Sequence, residues 1–337
     1  MNFASGNGTP TGHPQAVAYC VRNSTDVDEH AGHISAWEQE YDQISSGRFC
    51  GRVRELWLPE ARLQLFHEYT WPATSQRCAS WPGSVWVGFA DVHSHQPLHF
   101  CGSEQAASGG PGRALMCASA SAGFTLRTPA NFGIYGVVMD LQWLQAQMEW
   151  LGLGHDRLFP ERGVHMALLD PGRHAALCSI MEQLLALGQG MAGQSQGGWD
   201  MAATEALLPQ LLALLCDASP FSPAHQAAQR RLALVMAARD MVSRPLYQAL
   251  GVDALCQQLH VTRRTLQNHF QSVLGQSPSD FLKAVRLNAC RRALRDAQGQ
   301  QTVQDIAARW GFYHMGHFSQ DYKRLFGALP SKTLHTP

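Results

Sequence analysis

The sequence predicts an α+β protein in two parts: a β-rich N-terminal domain with a helical hairpin, then an all-α C-terminal domain with two helix-turn-helix units. Apolar residues recur with a period of two from Cys50 to Val138 and with a helical period from Asp140 onward. One helix-turn-helix pattern is written twice between Gly251 and Gly327. From residue 228 onward there are 15 Lys/Arg and 6 Asp/Glu, against 11 and 20 before it, although the net charge is zero. A basic helical domain therefore follows an acidic one.

The first copy of the repeated pattern reads GVDALCQQLHVTRRTLQNHFQSVLG. Its first helix places apolar residues at i, i+3, i+4 and i+7, which are Val252, Leu255, Cys256 and Leu259. His260 and Val261 are predicted to form the turn, and Thr262 to cap the next helix. The inner stripe of that second helix consists of Leu266, Phe270, Val273 and Leu274.

The second copy reads TVQDIAARWGFYHMGHFSQDYKRLFG and repeats these spacings. Gly311 supplies the turn, where a positive φ costs glycine little. The first stripe is repeated by Val303, Ile306, Ala307 and Trp310, and the second by Phe318, Tyr322, Leu325 and Phe326. Because two copies share matched stripes, a plain helical bundle with solvated faces explains the pattern less well than a pair of recognition helices.

Each second helix carries polar residues opposite its apolar stripe. Arg, Gln and Asn side chains can pair bidentately with base edges in the major groove. The predicted DNA-reading residues are Arg263, Arg264, Gln267, Asn268 and Gln271 in the first unit, and His314, His317, Gln320, Lys323 and Arg324 in the second.

A single helix, from about Ser277 to Asp296, is predicted to join the two units. Its twenty residues would span roughly 30 Å, close to the ~34 Å between successive major grooves on one face of DNA. Its basic side chains are Lys283, Arg286, Arg291, Arg292 and Arg295. We expect Arg291 in particular to contact DNA phosphates.

These residues resemble the AraC/XylS transcription regulators. The resemblance rests on IAARWGFYHMGHFSQDYKRLFG, on RLNACRRAL in the linking helix and on the closing GALP, and it covers about residues 230–335. It implies a DNA-binding domain with two helix-turn-helix units. One position departs from the family pattern: Gly316 stands where Ser or Thr is usual, two residues before Phe318.

The nine cysteines are scattered, and no C-x-x-C occurs, which disfavours a disulfide framework or a structural zinc site. The first twenty residues contain no apolar run of the signal-peptide type. The longest apolar stretch, around Leu207–Leu215, is far short of a membrane span. We therefore expect a cytoplasmic protein without membrane contact.

Eight short strands are predicted between Gly, Pro and Asn clusters. They are Gly51–Leu58, Arg62–Tyr69, Gln76–Ser80, Ser84–Ala90, Pro97–Cys101, Arg113–Ala118, Gly123–Arg127 and Gly133–Met139. Such a series is typical of a sandwich or small barrel, here a cupin-like jelly roll that can enclose a small ligand. A short helix is predicted before them, near Ser35–Ile44.

The pattern also predicts the division of the chain. Residues 1–25 are expected to be a flexible tail, 26–216 an effector-sensing and dimerisation domain, 217–227 a linker, and 228–337 the DNA-binding domain. Two helices near the end of the sensing domain carry the stripes Leu177, Met181, Leu184, Leu185, Gly188 and Leu207, Leu211, Leu214, Leu215. This hairpin can bury its stripes either against a second subunit or in its own core.

The front half resembles, more narrowly, the regulators of ethanolamine-utilisation operons. The segments that carry the likeness are SAWEQEYDQISSGRF, and LHFCGSEQ after WPGSVWVGF, with VTRRTLQNHF and WGFYHMGHF in the C-terminal part. The resemblance implies a response to ethanolamine with adenosylcobalamin as co-effector. It assigns no individual ligand residue.

Two further groups of residues have the composition of binding sites. Glu68 and Tyr69, with Trp86, can supply a carboxylate and aromatic wall for a small amine, although core aromatics explain them more simply. His93, His95 and His99 give a metal-like spacing, but the expected carboxylate and later His are missing, so no metal site is predicted. No catalytic residue, P-loop or dinucleotide motif is found.

We therefore expect a transcription regulator, most simply an activator, that binds promoter DNA and RNA polymerase as a homodimer and responds to a small molecule. Alternatives are a sensor of another amine or alcohol, a metal-binding or enzymatic cupin-like protein with a DNA module, and an architectural DNA-binding protein.

Overall fold

The computed structural model describes residues 17–104, 114–152, 163–192, 201–216, 219–221, 225–243, 251–297 and 301–334. The strands are β1 Ala18–Ser24, β2 Glu38–Gln43, β3 Gly51–Leu58, β4 Leu63–Thr70, β5 Thr74–Ala79, β6 Ser84–Ala90, β7 His99–Phe100, β8 Ser103–Glu104, β9 Ala114–Ser119, β10 Phe124–Thr128, β11 Phe132–Asp140, β12 Val164–Leu168 and β13 Ser219–Phe221. The helices are α1 Val27–Ala31, α2 Leu141–Leu151, α3 Pro171–Ala192, α4 Met201–Cys216, α5 His225–Val242, α6 Val252–Gln258, α7 Arg263–Leu274, α8 Pro278–Arg295, α9 Val303–Arg309, α10 Met315–Phe326 and α11 Pro330–Leu334.

The N-terminal strands form two antiparallel sheets. The order is β1-β3-β4-β11-β6-β9-β12-β13 in an eight-stranded sheet and β2-β5-β10-β7-β8 in a five-stranded sheet. One core fills the space between the sheets and includes Trp37, Phe66, Trp86 and Phe124. This arrangement confirms the predicted α+β fold, with a β domain ahead of a helical helix-turn-helix part.

Helices α3 and α4 form the predicted hairpin and cover the outer face of the eight-stranded sheet. Leu177, Met181 and Leu184 pack there with Leu211 and Leu215. Adjacent residues of β11 face opposite cores, since Tyr135 packs under the hairpin and Ile134 between the sheets. Most of both stripes is therefore buried within the chain's own core rather than presented to a second subunit.

The eight predicted strands correspond to β3–β7 and β9–β11, with ends that agree within two residues. The helix predicted near Ser35–Ile44 is wrong, because residues 38–43 form β2 and pair with β5. Its alternation was hidden by acidic residues on the outer face, Glu40 and Asp42, which face arginines of the helical domain instead of water.

Strands also occur in two segments predicted to lack them. Residues 18–24, assigned to the flexible tail, form β1 along the edge of the eight-stranded sheet. Residues 219–221, assigned to the linker, form β13 beside β12. The helix that follows, α5, begins at His225, three residues before the predicted start of the DNA-binding domain.

Helices α5–α11 form the C-terminal part around two small cores. One joins α5, α6, α7 and the first half of α8, and includes Val235, Leu255, Phe270 and Phe281. The other, with Leu294, Ile306, Phe318 and Tyr322, joins the second half of α8 to α9 and α10. Because α8 contributes to both cores, it fixes the two units relative to each other. No helix in the described part of the chain is long and apolar enough to cross a membrane.

Candidate nucleic-acid interface and ligand cavity

The first helix-turn-helix unit consists of α6 and α7. His260 forms the turn in a left-handed conformation with φ of 53°. Thr262 caps α7, because its hydroxyl oxygen accepts a hydrogen bond from the backbone N–H of Thr265 at 3.1 Å. The helix ends at Gly275 with φ of 63°. These contacts confirm the predicted turn and cap.

The second unit consists of α9 and α10. Thr302 and Asp305 form a capping box at the start of α9, where each side chain accepts a hydrogen bond from the other's backbone N–H. Gly311 makes the turn with φ of 78°. Helix α10 begins at Met315 without a side-chain cap, since His314 at the cap position accepts no such bond. The second recognition helix therefore starts less firmly than the first.

Both recognition helices bury the predicted stripe and expose the opposite face. The buried residues are Leu266, Phe270, Val273 and Leu274 in α7, and Phe318, Tyr322, Leu325 and Phe326 in α10. The exposed residues are Arg263, Arg264, Gln267, Asn268 and Gln271 on or beside α7, and His314, His317, Gln320, Lys323 and Arg324 on or beside α10. All ten predicted reading residues thus lie on exposed surface, and their contact with DNA stays a prediction.

Two of these exposed side chains are held by carboxylates. Arg263 forms a two-pronged ion pair with Asp253 of α6, with N–O distances of 2.5 and 2.7 Å. Arg324 pairs with Asp321 one turn earlier. Exposed pairs of this kind contribute little to stability. A DNA phosphate or base can therefore displace either carboxylate at small cost.

The arginines of α8 lie against the N-terminal domain. Arg291 contacts Asp26 and Asp28 and lies over the ring of Phe326, with 9% of its side chain exposed. Arg292 reaches Asp28 at 2.7 Å and Asp42 at 2.8 Å. Phosphate contact by Arg291 would require this interface to open. In the sequence, the acidic segments around residues 26–29 and 38–42 are the signal that could have indicated this interface. Sequence alone does not show which domain these segments face.

The same interface includes a fully buried ion pair between α5 and β2. Arg239 donates to Asp42 at 2.7 Å and to Glu40 at 2.8 Å, and the side chains of Arg239 and Asp42 are 2% and 0% exposed. Burial alone would raise the pKa of Asp42, yet Arg239 and Arg292 hold it below its usual value. Four arginines of the helical domain thereby meet four carboxylates of the β domain; the arginines are Arg239, Arg291, Arg292 and Arg295, and the carboxylates Asp26, Asp28, Glu40 and Asp42.

Amide groups extend this interface beyond the ion pairs. The backbone N–H of Gln43 donates to the side-chain oxygen of Asn288 at 3.0 Å, and the Asn288 amide returns a bond to the Gln43 carbonyl at 2.8 Å. The Gln43 side chain also donates to the carbonyl of Leu325 at 2.5 Å, near the end of α10. Strand β2 therefore touches both the linking helix and the second recognition helix.

A small cavity lies between the two sheets. It has room for about one water molecule. Its walls include the aromatic side chains Trp37, Tyr41, Phe66, Trp86 and Phe124, with Gln39, Glu68 and Gln76 as polar members. Among the described residues, the indole N–H of Trp86 and the amide oxygen of Gln39 have no hydrogen-bond partner.

Of the three predicted effector-binding residues, Glu68 and Trp86 lie together in the wall of this cavity. Glu68 is 3% exposed and lies 3.0 Å from Nε2 of His30, a residue of α1. Burial and the neighbouring Glu68 carboxylate raise the pKa of Tyr41 well above its usual value, so its hydroxyl stays neutral. Tyr69 points the other way and donates to Asn131 on the outside of the sheet.

The histidines considered for a metal do not converge. His93 and His95 lie on an exposed turn after β6, and His99 lies on β7. Within the described ranges, no three His, Cys, Asp or Glu residues are placed to hold a metal ion.

The comparisons with known proteins centre on the C-terminal part. Residues 255–336 match the model of the helix-turn-helix domain family. A probable thc operon regulatory protein of Rhodococcus erythropolis is 38% identical over 104 residues, 31% of each chain. The HTH-type transcriptional activator RhaR of Pectobacterium atrosepticum is 30% identical over 190 residues, 56% of this chain and 63% of that one. The chain thus spans about a third of the first of these relatives and under two thirds of the second.

A solved structure, the AraC-type DNA-binding-domain regulator of Chromobacterium violaceum, is 26% identical with a TM-score of 0.28 and covers 32% of this chain and 93% of that one. None of these relatives supports the narrower ethanolamine resemblance. The exposed recognition helices and the sequence matches lead to the same assignment: this chain carries an AraC-type helix-turn-helix domain and is homologous to regulators of the AraC/XylS family.

Proposed function

We propose that the protein is a sequence-specific DNA-binding transcription activator that works in the cytoplasm on promoter DNA with RNA polymerase, and that it binds as a homodimer. The observation that carries this proposal is the pair of recognition helices, α7 and α10, whose polar faces are exposed while their apolar stripes are buried. Activators among its homologues support the direction of regulation.

The two recognition helices are proposed to read adjacent major grooves. Helix α8, with 18 residues, is about 27 Å long, and the groove repeat is ~34 Å. Arg264 and Gln267 on α7 would contact base edges, and His317 and Gln320 on α10 would do so one turn of DNA away. The interface arginines of α8 would hold the β domain rather than the duplex.

The test is selection of binding sites from random duplex DNA by the full chain, followed by affinity measurements on the selected site. Arg264→Ala and Gln267→Ala should each lose ~1–3 kcal/mol of binding free energy on that site and little on random DNA. The matched control is Arg52→Ala, an exposed arginine on β3. Wild-type affinity in both α7 variants would exclude this face as the reader.

We further propose that residues 26–216 sense a small effector and dimerise, that 217–227 link, and that 228–337 bind DNA. The support is the cavity beside Glu68, where a buried carboxylate among aromatic rings suits a small organic cation. Ethanolamine fits this description chemically, but at one-water size the cavity would have to widen to admit it. Adenosylcobalamin is far larger than this cavity and would have to bind elsewhere.

The cavity has a short physical connection to the DNA-binding domain. His30 contacts Glu68 from α1, and Asp26 and Asp28 at the start of α1 hold the α8 arginines. On β2, Tyr41 lines the cavity while its neighbour Asp42 pairs with Arg239. An effector that moves α1 or β2 would thereby change the docking of both helix-turn-helix units. The effector can change this docking only if it binds the docked and the altered arrangement of the domains with different affinity.

Calorimetry on the full chain tests the effector, with ethanolamine alone, adenosylcobalamin alone, and both together. Glu68→Gln should abolish the ethanolamine heat because it removes the buried negative charge. Tyr69→Phe, next in sequence but on the outside of the sheet, is the matched control. Absence of heat in all three titrations of the folded wild type would rule out the ethanolamine hypothesis and leave DNA reading intact.

A further inference from the structure

One side of helix α8 is taken up by the β domain. The residues of this side are spaced at i, i+3, i+4 and i+7, so they form one row along the helix. They are Asn288, Arg291, Arg292 and Arg295. Asn288 bonds to Gln43 of β2, and the arginines pair with carboxylates of β2 and of the start of α1. We call this row the docking side of α8.

The two helix-turn-helix units lie on the flanks of α8, and Arg286 lies between them. Each residue of an α-helix is turned by about 100° from the one before it. Val285 packs in the core of the first unit and Leu287 in the core of the second, so Arg286 projects between the units. It is also turned by roughly 200° from Asn288. Arg286 therefore lies opposite the docking side, on what we call the far side of α8.

The far side of α8 adjoins the second recognition helix. The guanidinium carbon of Arg286 lies 5.6 Å from the ring centroid of Phe312, in the turn before α10. Almost one turn earlier on α8, Nζ of Lys283 lies 3.4 Å from a carboxylate oxygen of Asp321, which also pairs with Arg324. Arg324 is a predicted reading residue of α10. The far side of α8 and the reading face of α10 therefore belong to one surface.

Both recognition helices meet the β domain at their C-terminal ends. The carbonyl of Leu325, near the end of α10, accepts a hydrogen bond from Gln43. A methyl group on Gly275, at the end of α7, would lie 3.5 Å from Nη1 of Arg127 on β10. Each helix has 12 residues and is about 18 Å long, so its first turn is well away from this contact. Recognition helices read bases mainly with their N-terminal residues, and the β domain holds the opposite ends.

We propose that DNA lies across the far side of α8 while the β domain stays bound to the docking side, and that Arg286 contacts a phosphate between the two major grooves. The inference rests on the proposed function, DNA binding by both units. Arg286 lies at the middle of α8, where the sugar-phosphate backbone between adjacent major grooves passes the helix. The fork of N–H donors of a guanidinium suits phosphate oxygens. The linking helix thus contacts phosphate through Arg286 rather than through Arg291.

The surroundings of Arg286 suit this role. The ring of Phe312 packs against that of Phe318 in the core of the second unit, and its face supports the guanidinium. Burial lowers the pKa of Arg286, because the charged form loses part of its hydration. A phosphate beside such a cation is attracted more strongly than beside a fully solvated one, since water screens the charges less.

Contact on the far side leaves the ion pairs of the docking side intact. DNA does not have to displace Asp26, Asp28 or Asp42 from their arginines. An effector that alters the docking therefore changes how the two units are held on α8. It does not act by uncovering a DNA-binding surface that the β domain had blocked.

The test is the salt dependence of DNA affinity, measured with the full chain on its selected site and on random duplex. Arg286→Met keeps an unbranched side chain over Phe312 and removes the charge. It should weaken binding to both DNAs by a similar factor and reduce the slope of log affinity against log salt concentration by about 1, the loss of one phosphate contact. Arg286→Lys keeps the charge and should retain the wild-type slope. The matched control is Arg295→Met, on the docking side of the same helix, which should also retain that slope.

A second measurement asks whether docking competes with DNA. Asp42→Asn weakens the interface between the domains by removing a buried carboxylate beside Arg239. Because the duplex is proposed to lie on the other side of α8, this variant should bind random duplex no more tightly than the wild type does. Tighter binding would mean that the docked β domain covers the DNA-binding surface, and it would overturn the inference.

Two further results would overturn it. A wild-type slope in folded Arg286→Met would mean that Arg286 touches no phosphate. Weaker binding by this variant with an unchanged slope would mean that Arg286 acts only by packing on Phe312. If Arg286→Met does not fold, Arg286→Gln replaces it with the same expected loss of slope.

Failure of the inference is distinguishable from failure of the proposed function. Loss of affinity for the selected site in Arg264→Ala, with no change in Arg286→Met, would refute the inference alone. Absence of salt-dependent binding to any duplex by the folded wild type would refute both.

Discussion

Phe318 belongs to the buried core of the second helix-turn-helix unit. Its side chain is 1% exposed, and its ring centroid lies 5.1 Å from that of Phe312 and 5.6 Å from that of Tyr322. Phe318→Ala should lower the free energy of unfolding by ~3–5 kcal/mol, because it leaves a cavity in a small core. Urea unfolding of the full chain measures the effect. Tyr313→Ala, whose side chain is 69% exposed, is the aromatic control and should change stability little. Equal losses would show that the stripe is misassigned.

Glu182 gives the molecule a defined response to acid. A hydrogen bond from Arg54 is the main cause that lowers the pKa of Glu182 to about 2. Burial acts in the opposite direction, and a second hydrogen bond, from Tyr135, lowers the pKa further. A carboxyl whose pKa is lowered on folding stabilises the native state above its unfolded pKa, ~4.3, and loses that contribution as the pH falls toward 2. Glu182→Gln should therefore destabilise the protein at pH 7 and much less at pH 2.5. Unfolding curves of wild type and Glu182→Gln at both pH values test this prediction. The same loss of stability at pH 7 and at pH 2.5 would mean that the ionisation of Glu182 is not linked to folding.

Side-chain direction was the part of the candidate site that sequence could not supply. Glu68 and Tyr69 are neighbours on β4, yet one lines the internal cavity and the other bonds to Asn131 outside. Both faces of the eight-stranded sheet are buried, one under the hairpin and one under the second sheet. Apolar residues therefore occupy both faces of central strands such as β6 and β11, and there the alternation does not tell one face from the other.

At the scale of the element, Gly316 in the first turn of α10 is an unusual choice. A methyl group placed there would meet no atom within 4 Å, and its φ is not in the left-handed region. Gly316→Ala should stabilise the chain by ~0.5–1 kcal/mol, because alanine loses less conformational freedom in a helix. The control is Gly275→Ala at the end of α7, where φ is 63°, which should destabilise instead. Thermal melts measure whether each variant is more or less stable than the wild type. A lower melting temperature for Gly316→Ala would contradict the prediction that alanine is better suited than glycine to this position of α10.

The elements were predicted best where local sequence determines them. Helix α8 begins and ends one residue inside the predicted bounds, because Ser277 caps its start and Asp296 ends it. Strand β2 was missed because its polar outer face is paired with arginines distant in the sequence. Strands β12 and β13 complete a sheet edge through partners far along the chain, and no local pattern marks such a pairing.

At the scale of the whole molecule, the interface between the domains depends on Asp42. Asp42→Asn removes the one fully buried carboxylate beside Arg239 and leaves it with the more exposed Glu40 and Asp240. A broken buried pair costs up to ~3–5 kcal/mol, and these remaining partners reduce that cost. We expect the domains of this variant to separate more readily, with faster protease cleavage between residues 217 and 250. Exposed Glu205→Gln on α4 is the control. Cleavage at the wild-type rate in Asp42→Asn would show that the remaining contacts hold the domains without this pair.

The role of Arg291 illustrates what only the assembled chain can show. Its place on a basic linking helix predicted phosphate contact, yet its side chain lies among Asp26, Asp28 and Phe326. The sequence has an acidic N-terminal part and a basic C-terminal part, and this charge asymmetry has two roles in the structure. Part of it faces solvent on the recognition helices, and part joins the two domains.

The Gln43 contacts bear on how the molecule is made. Gln43 bonds to Asn288 and Leu325, which lie 245 and 282 residues later in the chain. At typical synthesis rates of about 5–20 residues per second, β2 must wait roughly 10–60 s after emerging from the ribosome for these partners. During that interval Glu40 and Asp42 face solvent without their arginines, and the β domain exists without the docking that is proposed to transmit a signal. Coupling between the two halves is therefore acquired only when the last recognition helix has been translated.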